Sequence, residues 1–233
     1  MLASPTTLLL LDCETTGLQV GSDELCEIGA VLFSVPHRAV LQQLSFLLPV
    51  AANGAQEING IDPVLTQQPQ PAQQAHVLFL AMLASSDALV AHNAAFDRPW
   101  IDAWLISTGA GDTEAQGKPW ICTCDGISWQ GIKPNPSLAA LALAHGIPVW
   151  AAHRALTDCI YLAQILERDP QLVEHLVEGL QPRRLVAADL PFSRKDEAKQ
   201  AGFRWLPEAK QWQRRCTEAQ IQALPFPVLQ AEP

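Results

Sequence analysis

Residues 7–18 have the sequence TLLLLDCETTGL, an apolar run followed directly by two acidic residues. The run Thr7–Leu11 predicts a β-strand that is buried on both faces. Because residues i and i+2 of a strand share a face, we expect Asp12 and Glu14 to point the same way. Two carboxylates at the end of a buried strand repel each other unless a cation lies between them. Taken alone the pattern is weak, since it occurs by chance about once in a chain of this size and also suits a solvated strand end.

The hydrophobic patterns around this strand predict a layered α/β domain. Further strands are expected at Glu27–Ser34, Ala39–Leu48, Ala88–Ala91 and Trp120–Thr123, with a turn at Pro36–Arg38. Helices are expected at Ala75–Ala84, Asp97–Ile106, Ser137–His145, Arg154–Arg168 and Pro170–Leu180, with a polar loop at Ser107–Pro119. Early strands followed by alternating helices and short strands predict a mixed, partly antiparallel sheet flanked by helices. The hairpin-first order, without a glycine fingerprint or a Walker-type motif, argues against a dinucleotide-binding or P-loop fold.

The distribution of charge divides the chain into two parts. Residues 1–180 contain 6 Lys and Arg against 18 Asp and Glu, a net charge of −12, whereas residues 181–233 contain 9 against 6, a net charge of +3. This asymmetry predicts an acidic domain over residues 1–180, a small basic α+β module over residues 181–217 and a C-terminal tail over residues 218–233. In the module we expect a strand, a short helix and a hairpin. Its Trp205 and Trp212 either stack on nucleic-acid bases or form a small core.

Composition excludes several classes of protein. The chain has 233 residues, of which 48% are hydrophobic and 17% are charged, so it is globular rather than disordered. Its longest apolar runs, such as Val77–Ala84, fall short of the roughly 20 residues that span a bilayer. The first residues lack the basic flank of a secretory signal, so we expect no such signal. The six cysteines form no CxxC pair, and no histidine lies at zinc-ligand spacing near them. We therefore expect a cytoplasmic protein with reduced thiols, no zinc site and no membrane association.

Two further segments place acidic residues and histidines where a helix begins. The sequence HNAAFD at His92–Asp97 follows the expected strand Ala88–Ala91, and Asn93 is a candidate helix cap. Sites of α/β sheets gather at such junctions, although aspartate is also favoured at a helix start without any function. In HRALTD at residues 153–158, the first and last residues would be about 140° out of phase on a helix. They converge only if His153 lies in the loop before the helix and Asp158 lies on its inner face.

Taken in chain order, these segments resemble the DEDDh family of 3′–5′ exonucleases, the DnaQ-like or RNase T-like nucleases. The signature residues of the family fall on Asp12, Glu14, Asp97, His153 and Asp158. The sister subclass has a tyrosine ahead of the last aspartate and does not match, because the one tyrosine, Tyr161, follows Asp158. Similarity to the exonuclease X branch of the family extends to Gly17–Gln19, Ala91–Ala94, Trp120–Thr123, Gly131–Lys133 and His153–Ala155. The resemblance covers roughly residues 7–168 and departs at Asn59–Ile61, where many relatives have a histidine before the isoleucine.

This resemblance implies an RNase H-like exonuclease fold and a site with two Mg²⁺ or Mn²⁺ ions held by Asp12, Glu14, Asp97 and Asp158. It further implies that His153 is the general base and that 5′-mononucleotides leave stepwise from a free 3′ end. Leu18 and Gln19 would wedge against the last base pair, unless Leu18 belongs to the core. The full set of expected substrate contacts is Thr15, Thr16, Gly17, Leu18, Gln19, Ile61, His92, Asn93 and Phe96.

The expected partner is nucleic acid with a free 3′ end, and DNA is favoured over RNA. No reader of the 2′-hydroxyl group can be identified in the sequence, so a ribonuclease that trims RNA 3′ ends or short RNA is an alternative. A non-catalytic nucleic-acid-binding protein of the same fold is a second alternative, against which the complete set of acids and His153 argues. A proofreading subunit would need a polymerase-binding tail, which residues 181–233 do not obviously supply. The acidic balance of residues 1–180 predicts a shallow salt dependence of binding, with the basic module as the source of further phosphate contacts.

Overall fold

A five-stranded sheet forms the larger part of the computed structural model, which describes residues 4–109, 117–151 and 153–231. Its strands are β1 (Thr7–Thr15), β2 (Leu25–Ser34), β3 (Ala39–Leu47), β4 (Ala88–Ala91) and β5 (Trp120–Cys122). Their order is β3-β2-β1-β4-β5. The pairs β1–β2 and β2–β3 are antiparallel, whereas β1–β4 and β4–β5 are parallel. The expected mixed, partly antiparallel sheet is confirmed.

Helices cover both faces of this sheet. They are α1 (Gln56–Asn59), α2 (Pro63–Thr66), α3 (Ala72–Ala84), α4 (Ala94–Ser107), α5 (Leu138–Ala144), α6 (Ala155–Arg168) and α7 (Leu172–Gly179). Helices α3 and α4 pack on one face, and α5, α6 and α7 pack on the other. The single-turn helices α1 and α2 were not predicted, because four residues are too few to show a helical period. Residues 110–116 of the expected loop at 107–119 lie outside the described residues.

The apolar run of β1 contributes to two separate cores. Leu8 and Leu10 belong to the cluster under α5, α6 and α7, whereas Leu9 and Leu11 belong to the cluster under α3 and α4. All four side chains are fully buried. A strand covered on both faces needs no polar position, which explains the unbroken run of leucines. Both cores meet at β1, so this central strand is anchored by packing on both of its faces.

A second, four-stranded antiparallel sheet follows in the chain. It contains β6 (Arg184–Ala188), β7 (Arg204–Leu206), β8 (Gln211–Cys216) and β9 (Val228–Gln230) in the order β7-β8-β6-β9. Two helices, α8 (Lys195–Gln200) and α9 (Glu218–Ala223), pack on it. Residues 218–231, expected as part of a tail, instead supply α9 and the edge strand β9. Thr217 and Gln220 start α9 with a reciprocal capping box, a short signal that hydrophobic periodicity does not detect.

The two tryptophans of this module stand at the edge of its core. The core consists of Val186, Ala198, Phe203, Cys216 and Phe226. Trp205 and Trp212 are paired across β7 and β8 with ring centroids 5.6 Å apart. Trp212 packs against the core, and Trp205 is 41% exposed. The pair therefore covers a small core that other residues build.

Two observations concern the expectations about membranes and thiols. Within the three described ranges, no helix is both long enough and apolar enough to cross a membrane. The six cysteines are free thiols, and five of them are buried. Reduced cysteines remain a prediction, and the burial of five of them suits small hydrophobic side chains.

Candidate active site

The carboxyl ends of β1 and β4 open into a cavity of about 770 Å³. The cavity is lined by all five residues that the family motif singles out, Asp12, Glu14, Asp97, His153 and Asp158. The first two lie on β1, Asp97 lies in the first turn of α4, and Asp158 lies in the first turn of α6. The fold thus brings together acidic side chains from three elements that are far apart in the sequence.

A hydrogen bond between α4 and β1 holds Asp97 in place. Its Oδ1 accepts from the backbone nitrogen of Cys13 at 3.0 Å, and the residue is 2% exposed. Helix α4 begins at Ala94, three residues earlier than expected, and continues through Pro99. Proline has no N–H group, so the helix lacks one internal hydrogen bond there, yet Asp97 remains in its first turn. Asn93 precedes α4, but its side chain makes no capping hydrogen bond, which corrects the expectation for this residue.

The loop before α6 brings His153 next to Asp158. His153 has a φ of +61°, in the left-handed region, and its backbone nitrogen donates to Oδ2 of Asp158 at 3.3 Å. Because α6 begins only at Ala155, the two residues are not constrained to helical phase. The Tyr161 hydroxyl accepts hydrogen bonds from the backbone nitrogens of residues 150–151 at 3.0 and 3.1 Å. The histidine therefore lies in a loop that is tied to the helix carrying Asp158.

Burial raises the pKa of each acid in the cavity, and repulsion from a neighbouring acid adds to it. Burial first, and then Asp158 and Glu27, raise the pKa of Glu14 to about 8. Burial raises the pKa of Asp97 to about 7, against the lowering effect of its hydrogen bonds. Burial, Asp97 and Asp158 hold the pKa of Asp12 well above its usual range, and burial also raises the pKa of Asp158. The acids by themselves therefore cannot all be ionised at neutral pH.

A divalent cation would relieve this repulsion, and the donor atoms suit such an ion. Glu14, His153 and Asp158 each offer one ligand atom, and these atoms all lie within 4.8 Å of one another. Carboxylate oxygens are the ligands that Mg²⁺ and Mn²⁺ prefer. The pKa values of all four neighbouring carboxyl groups are raised, and a positive charge placed among them would favour their ionised forms. The residues present thus fit a hard divalent cation.

An ion pair that the sequence analysis missed joins α6 to the sheet. Glu27 lies opposite Glu14 in the β1–β2 ladder and is 2% exposed. Its carboxylate accepts two hydrogen bonds of 2.9 Å from the Arg154 guanidinium and one of 3.1 Å from the backbone nitrogen of Ala155. Burial raises the pKa of Glu27, but the bonds from Arg154 and from Ser45 outweigh it and lower the pKa below its usual range. Glu27 is thus an ionised carboxylate at the amino end of α6, beside the acidic cavity.

A family match identifies the larger domain. The exonuclease family RNase_T matches residues 9–166, which is more than half of the chain. The chain belongs to this exonuclease family. A second family, a domain of unknown function called DUF8626, matches residues 184–231, which span the whole of the second sheet.

Three known proteins show what the exonuclease domain is similar to. A stretch of 174 residues is 28% identical to the PolC-type DNA polymerase III of Thermotoga petrophila, covering 73% of this chain and 12% of that protein. The complex of Escherichia coli exonuclease I with single-stranded DNA superposes with a TM-score of 0.59 at 20% identity, covering 79% of this chain and 48% of that one. Exonuclease X in complex with 5′-overhanging duplex DNA is 26% identical over 72% of this chain and 96% of that chain, with a TM-score of 0.49. The likeness to exonuclease I confirms the RNase H-like exonuclease fold, although the chain spans only part of the length of the first two proteins.

Leu18 stands at the rim of the cavity of the exonuclease domain. It is 81% exposed, which excludes a place in the core. The loop that carries it is tightly folded, since the Thr15 hydroxyl donates to the carbonyl oxygen of Gly17 at 2.6 Å. A Cβ at Gly17 would lie 2.4 Å from the carboxyl carbon of Asp23, so a larger residue there would displace the Asp23 side chain. Thr15, Thr16 and Gly17 all line the cavity, which places this loop beside the acids.

His92 forms part of the cavity wall in the exonuclease domain. Its Nδ1 lies 3.0 Å from the Thr123 hydroxyl, and its Nε2 lies 3.0 Å from the carbonyl oxygen of Pro136. Burial lowers the pKa of His92, so the ring is neutral, with Nε2 as the donor to the carbonyl group. Both ring nitrogens are therefore engaged within the protein. Asn93 and Phe96 also line the cavity and leave their side chains accessible from it.

Two of the expected substrate contacts lie outside the cavity. Ile61 is 2% exposed and packs against Cys26 and Val50, so substrate cannot reach it. Gln19 is exposed but does not line the cavity. Ile58, in α1, is 64% exposed and lines the cavity where Ile61 was expected to do so. The single turn of α1, which the sequence did not reveal, causes this exchange, because it turns residue 61 inward.

Proposed function

We propose that this chain is a metal-dependent exonuclease that hydrolyses DNA stepwise from the 3′ end and releases 5′-mononucleotides. One observation carries the proposal: the five motif residues, scattered along a domain of the exonuclease family, line a single cavity. The 28% identity to a DNA polymerase III supports DNA as the substrate. A non-catalytic binding protein is disfavoured, because four neighbouring acids that are buried or half-buried serve no purpose in a scaffold.

The acids of the cavity would hold the metal ions. Asp12, Glu14, Asp97 and Asp158 would bind two Mg²⁺ or Mn²⁺ ions. When bound, the ions supply positive charge that stabilises the charge developing on the phosphate and on the leaving 3′ oxygen. With this charge in place the four carboxyl groups are ionised together, since the repulsion that raises their pKa values is offset.

His153 would be the general base of the reaction. It is exposed, it lines the cavity, and its backbone nitrogen rather than its ring is bonded to Asp158. The imidazole is therefore available to take the proton from the attacking water, the role in which histidine occurs most often. The tie between His153 and Asp158 would keep the base at a fixed distance from the acids.

The loop after β1 would hold the terminal nucleotide. Thr15, Thr16 and Gly17 line the cavity beside the acids. The Thr15 hydroxyl donates to Gly17, whereas the Thr16 hydroxyl accepts from the backbone nitrogen of Glu24 and keeps its proton to donate to a sugar or phosphate oxygen. The exposed side chain of Leu18 would pack against the last base or base pair and would replace part of its stacking. Asn93 and Phe96 on the α4 side would complete the pocket for the nucleotide.

The direct test is hydrolysis of 5′-labelled and 3′-labelled DNA and RNA strands of the same sequence, with Mg²⁺, Mn²⁺ or EDTA. We expect 5′-labelled DNA to shorten in single steps, 3′-labelled DNA to yield labelled mononucleotide at once, and EDTA to stop both. Shortening from the 5′ end, or full activity in EDTA, would overturn the proposal. Faster release from RNA than from DNA would replace DNA with RNA as the substrate.

The variant Asp12→Ala tests the site itself. We expect it to lose at least about 10³-fold in rate, because several kcal/mol of charge stabilisation depend on the ions that Asp12 holds. Its fold should survive without metal, since removing one acid relieves repulsion. Asp102→Ala is the matched control, because Asp102 lies on α4, pairs with Arg98 and does not line the cavity. Equal activity in the two variants would remove Asp12 from the mechanism.

A further inference from the structure

The second sheet docks onto one wall of the active-site cavity. The side-chain amide of Asn135 donates to the carbonyl oxygen of Gly202 at 2.8 Å, and Arg183 donates to the carbonyl oxygen of Asp125 at 3.1 Å. Asn135 itself lines the cavity. The module, which in the structure comprises the second sheet and its helices over residues 184–231, is therefore attached to the segment between β5 and α5 that forms part of the site.

Close packing at Gly202 brings the start of β7 against this wall. Gly202 has a φ of +79°, and a Cβ at this position would lie 2.7 Å from the Cβ of Pro134. Any side chain here would be strained and would push the two surfaces apart. The glycine therefore allows the next residues of the chain to reach the cavity.

Arg204, two residues further on, lines the cavity together with Cys124. It is exposed, and its guanidinium lies 4.0 Å from the sulfur of Cys124. Within the described ranges no carboxylate lies within 4.0 Å of it, and no other lysine or arginine lines the cavity. The module thus places one unpaired cation in a cavity that is otherwise acidic.

We propose that Arg204 binds a backbone phosphate of the substrate strand on the 5′ side of the bond that is cut. This contact rests on the proposed function, and its place on the strand follows from which bond is cut. Removal of a 3′-terminal mononucleotide cuts at the last internucleotide phosphate, so every other phosphate of the strand lies on the 5′ side. Guanidinium groups bind phosphate oxygens through paired, charge-assisted hydrogen bonds. The domain of unknown function would then supply the grip that the acidic exonuclease domain lacks.

The tryptophans are not part of this contact. Successive residues of a strand point to opposite faces, so Trp205 lies on the face of β7 opposite to Arg204. Trp205 pairs with Trp212, which packs on the core of the module. The phosphate contact therefore belongs to Arg204 and not to an aromatic platform on the same surface.

The test compares two substrates that differ in the number of phosphates. A dinucleoside monophosphate has only the phosphate that is cut, whereas an oligonucleotide of about eight residues also has phosphates on the 5′ side. For Arg204→Gln we expect KM on the oligonucleotide to rise about tenfold, with a change of less than about twofold on the dinucleoside monophosphate. Arg204→Lys should restore part of the loss, because it keeps the charge but not the paired geometry. Equal losses on both substrates, or no loss on either, would overturn the proposal.

Arg194→Gln is the matched control, since Arg194 is an exposed arginine of the same module that pairs with Glu197 and does not line the cavity. Fluorescence anisotropy of a labelled strand in EDTA gives a second measurement that needs no hydrolysis. Weaker binding by Arg204→Gln than by wild type supports the phosphate contact even if the wild type cuts nothing, in which case only the proposed activity fails. Hydrolysis by the wild type with unchanged binding in Arg204→Gln leaves the activity in place and removes the contact.

Discussion

At the scale of single residues, the raised pKa of Glu14 makes the stability of the protein depend on pH. Burial, Asp158 and Glu27 raise its pKa to about 8, whereas a glutamate in an unfolded chain has a pKa of about 4.3. The folded protein therefore keeps a proton that the unfolded chain releases. The contribution of Glu14 to stability is complete below about pH 4 and is lost as the pH rises through about 8.

The variant Glu14→Gln should therefore gain stability over wild type as the pH rises, because glutamine never has to bury a charge. The measurement is the difference in Tm between the two proteins in EDTA from about pH 5.5 to about pH 8.5. We expect this difference to grow with pH in favour of the variant. Asp102→Asn, outside the cavity, should give a constant difference. A difference for Glu14→Gln that is also constant would contradict the raised pKa.

The variant His153→Ala distinguishes a role of His153 as general base from a role as metal ligand. The four acids remain, so Mn²⁺ should bind to the variant almost as tightly as to wild type. Turnover should fall by roughly 10²–10⁴-fold, the usual contribution of a general base. Calorimetric titration with Mn²⁺ and single-turnover rates measure the two effects separately. An unchanged rate would show that another group takes the proton, and lost Mn²⁺ binding would make His153 a ligand.

Residue identities were predictable where the chemistry itself dictates the residue type. Asp12, Glu14, Asp97, His153 and Asp158 are recognisable from their order and spacing, and the structure places all five on one cavity. Glu27 was interpreted only as the start of a strand, because its partner Arg154 is 127 positions away. The signal was present, since a charged residue within a buried strand requires a partner. The exchange of Ile61 for Ile58 had no such signal, because it depends on one unforeseen helical turn.

At the scale of elements, the close packing of α6 on β2 sets the position of Asp158. Gly29 in β2 lies against the first residue of α6, and a Cβ there would be 2.3 Å from the carbonyl carbon of Ala155. The helix and the strand touch through backbone at this point. The distance between Asp158 on α6 and Glu14 on β1 therefore depends on the absence of a side chain at Gly29.

Gly29→Ala should consequently push α6 away from the sheet. Overpacking of this kind costs about 1–3 kcal/mol of unfolding free energy. A shift of about 1 Å in Asp158 and His153 should also lower turnover about 10²-fold. Gly117→Ala is the control, because no atom of the described residues lies within 4 Å of a Cβ there, and it should change stability by less than about 0.5 kcal/mol. Denaturant unfolding and steady-state kinetics measure both effects, and full activity in Gly29→Ala would show that α6 can relax without moving the site.

Several elements were predictable from their apolar residues. The strands β1, β2 and β4 are buried over nearly their whole length, and their bounds agree with the prediction to within a few residues, although β4 has only four residues. Helix α4 begins earlier than expected because the hydrogen bond between β1 and Asp97 holds its first turn. The helix then continues through Pro99. Helix α9 and strand β9 were taken for part of a tail, since each is short and is stabilised by pairing with β6 and by the core of the module.

At the scale of the whole molecule, the two parts of the chain have complementary charge. The domain of residues 1–180 has a net charge of −12, and the remaining residues have a net charge of +3. Two divalent ions would offset part of the negative charge at the site, but they would add no positive charge where the rest of the strand lies. The division by charge was visible in the sequence. The place where the basic part meets the acidic part was not, because it depends on Gly202 and Asn135.

The salt dependence of DNA binding should therefore be shallow. Across the described ranges, few cations lack a carboxylate or carbonyl partner, namely Lys133, Lys195, Arg204, Lys210 and Arg215. Even if all of them contacted phosphates of a single strand, log K would fall against log salt with a slope no steeper than about −3.5. Anisotropy titrations of a labelled strand from about 20 to about 200 mM KCl, with Asp12→Ala protein to prevent hydrolysis, measure this slope. Adding Arg204→Gln should reduce the slope by about 0.7, whereas adding Arg194→Gln should leave it unchanged. A slope near −7 would require more phosphate contacts than these five cations can make, and it would contradict the prediction.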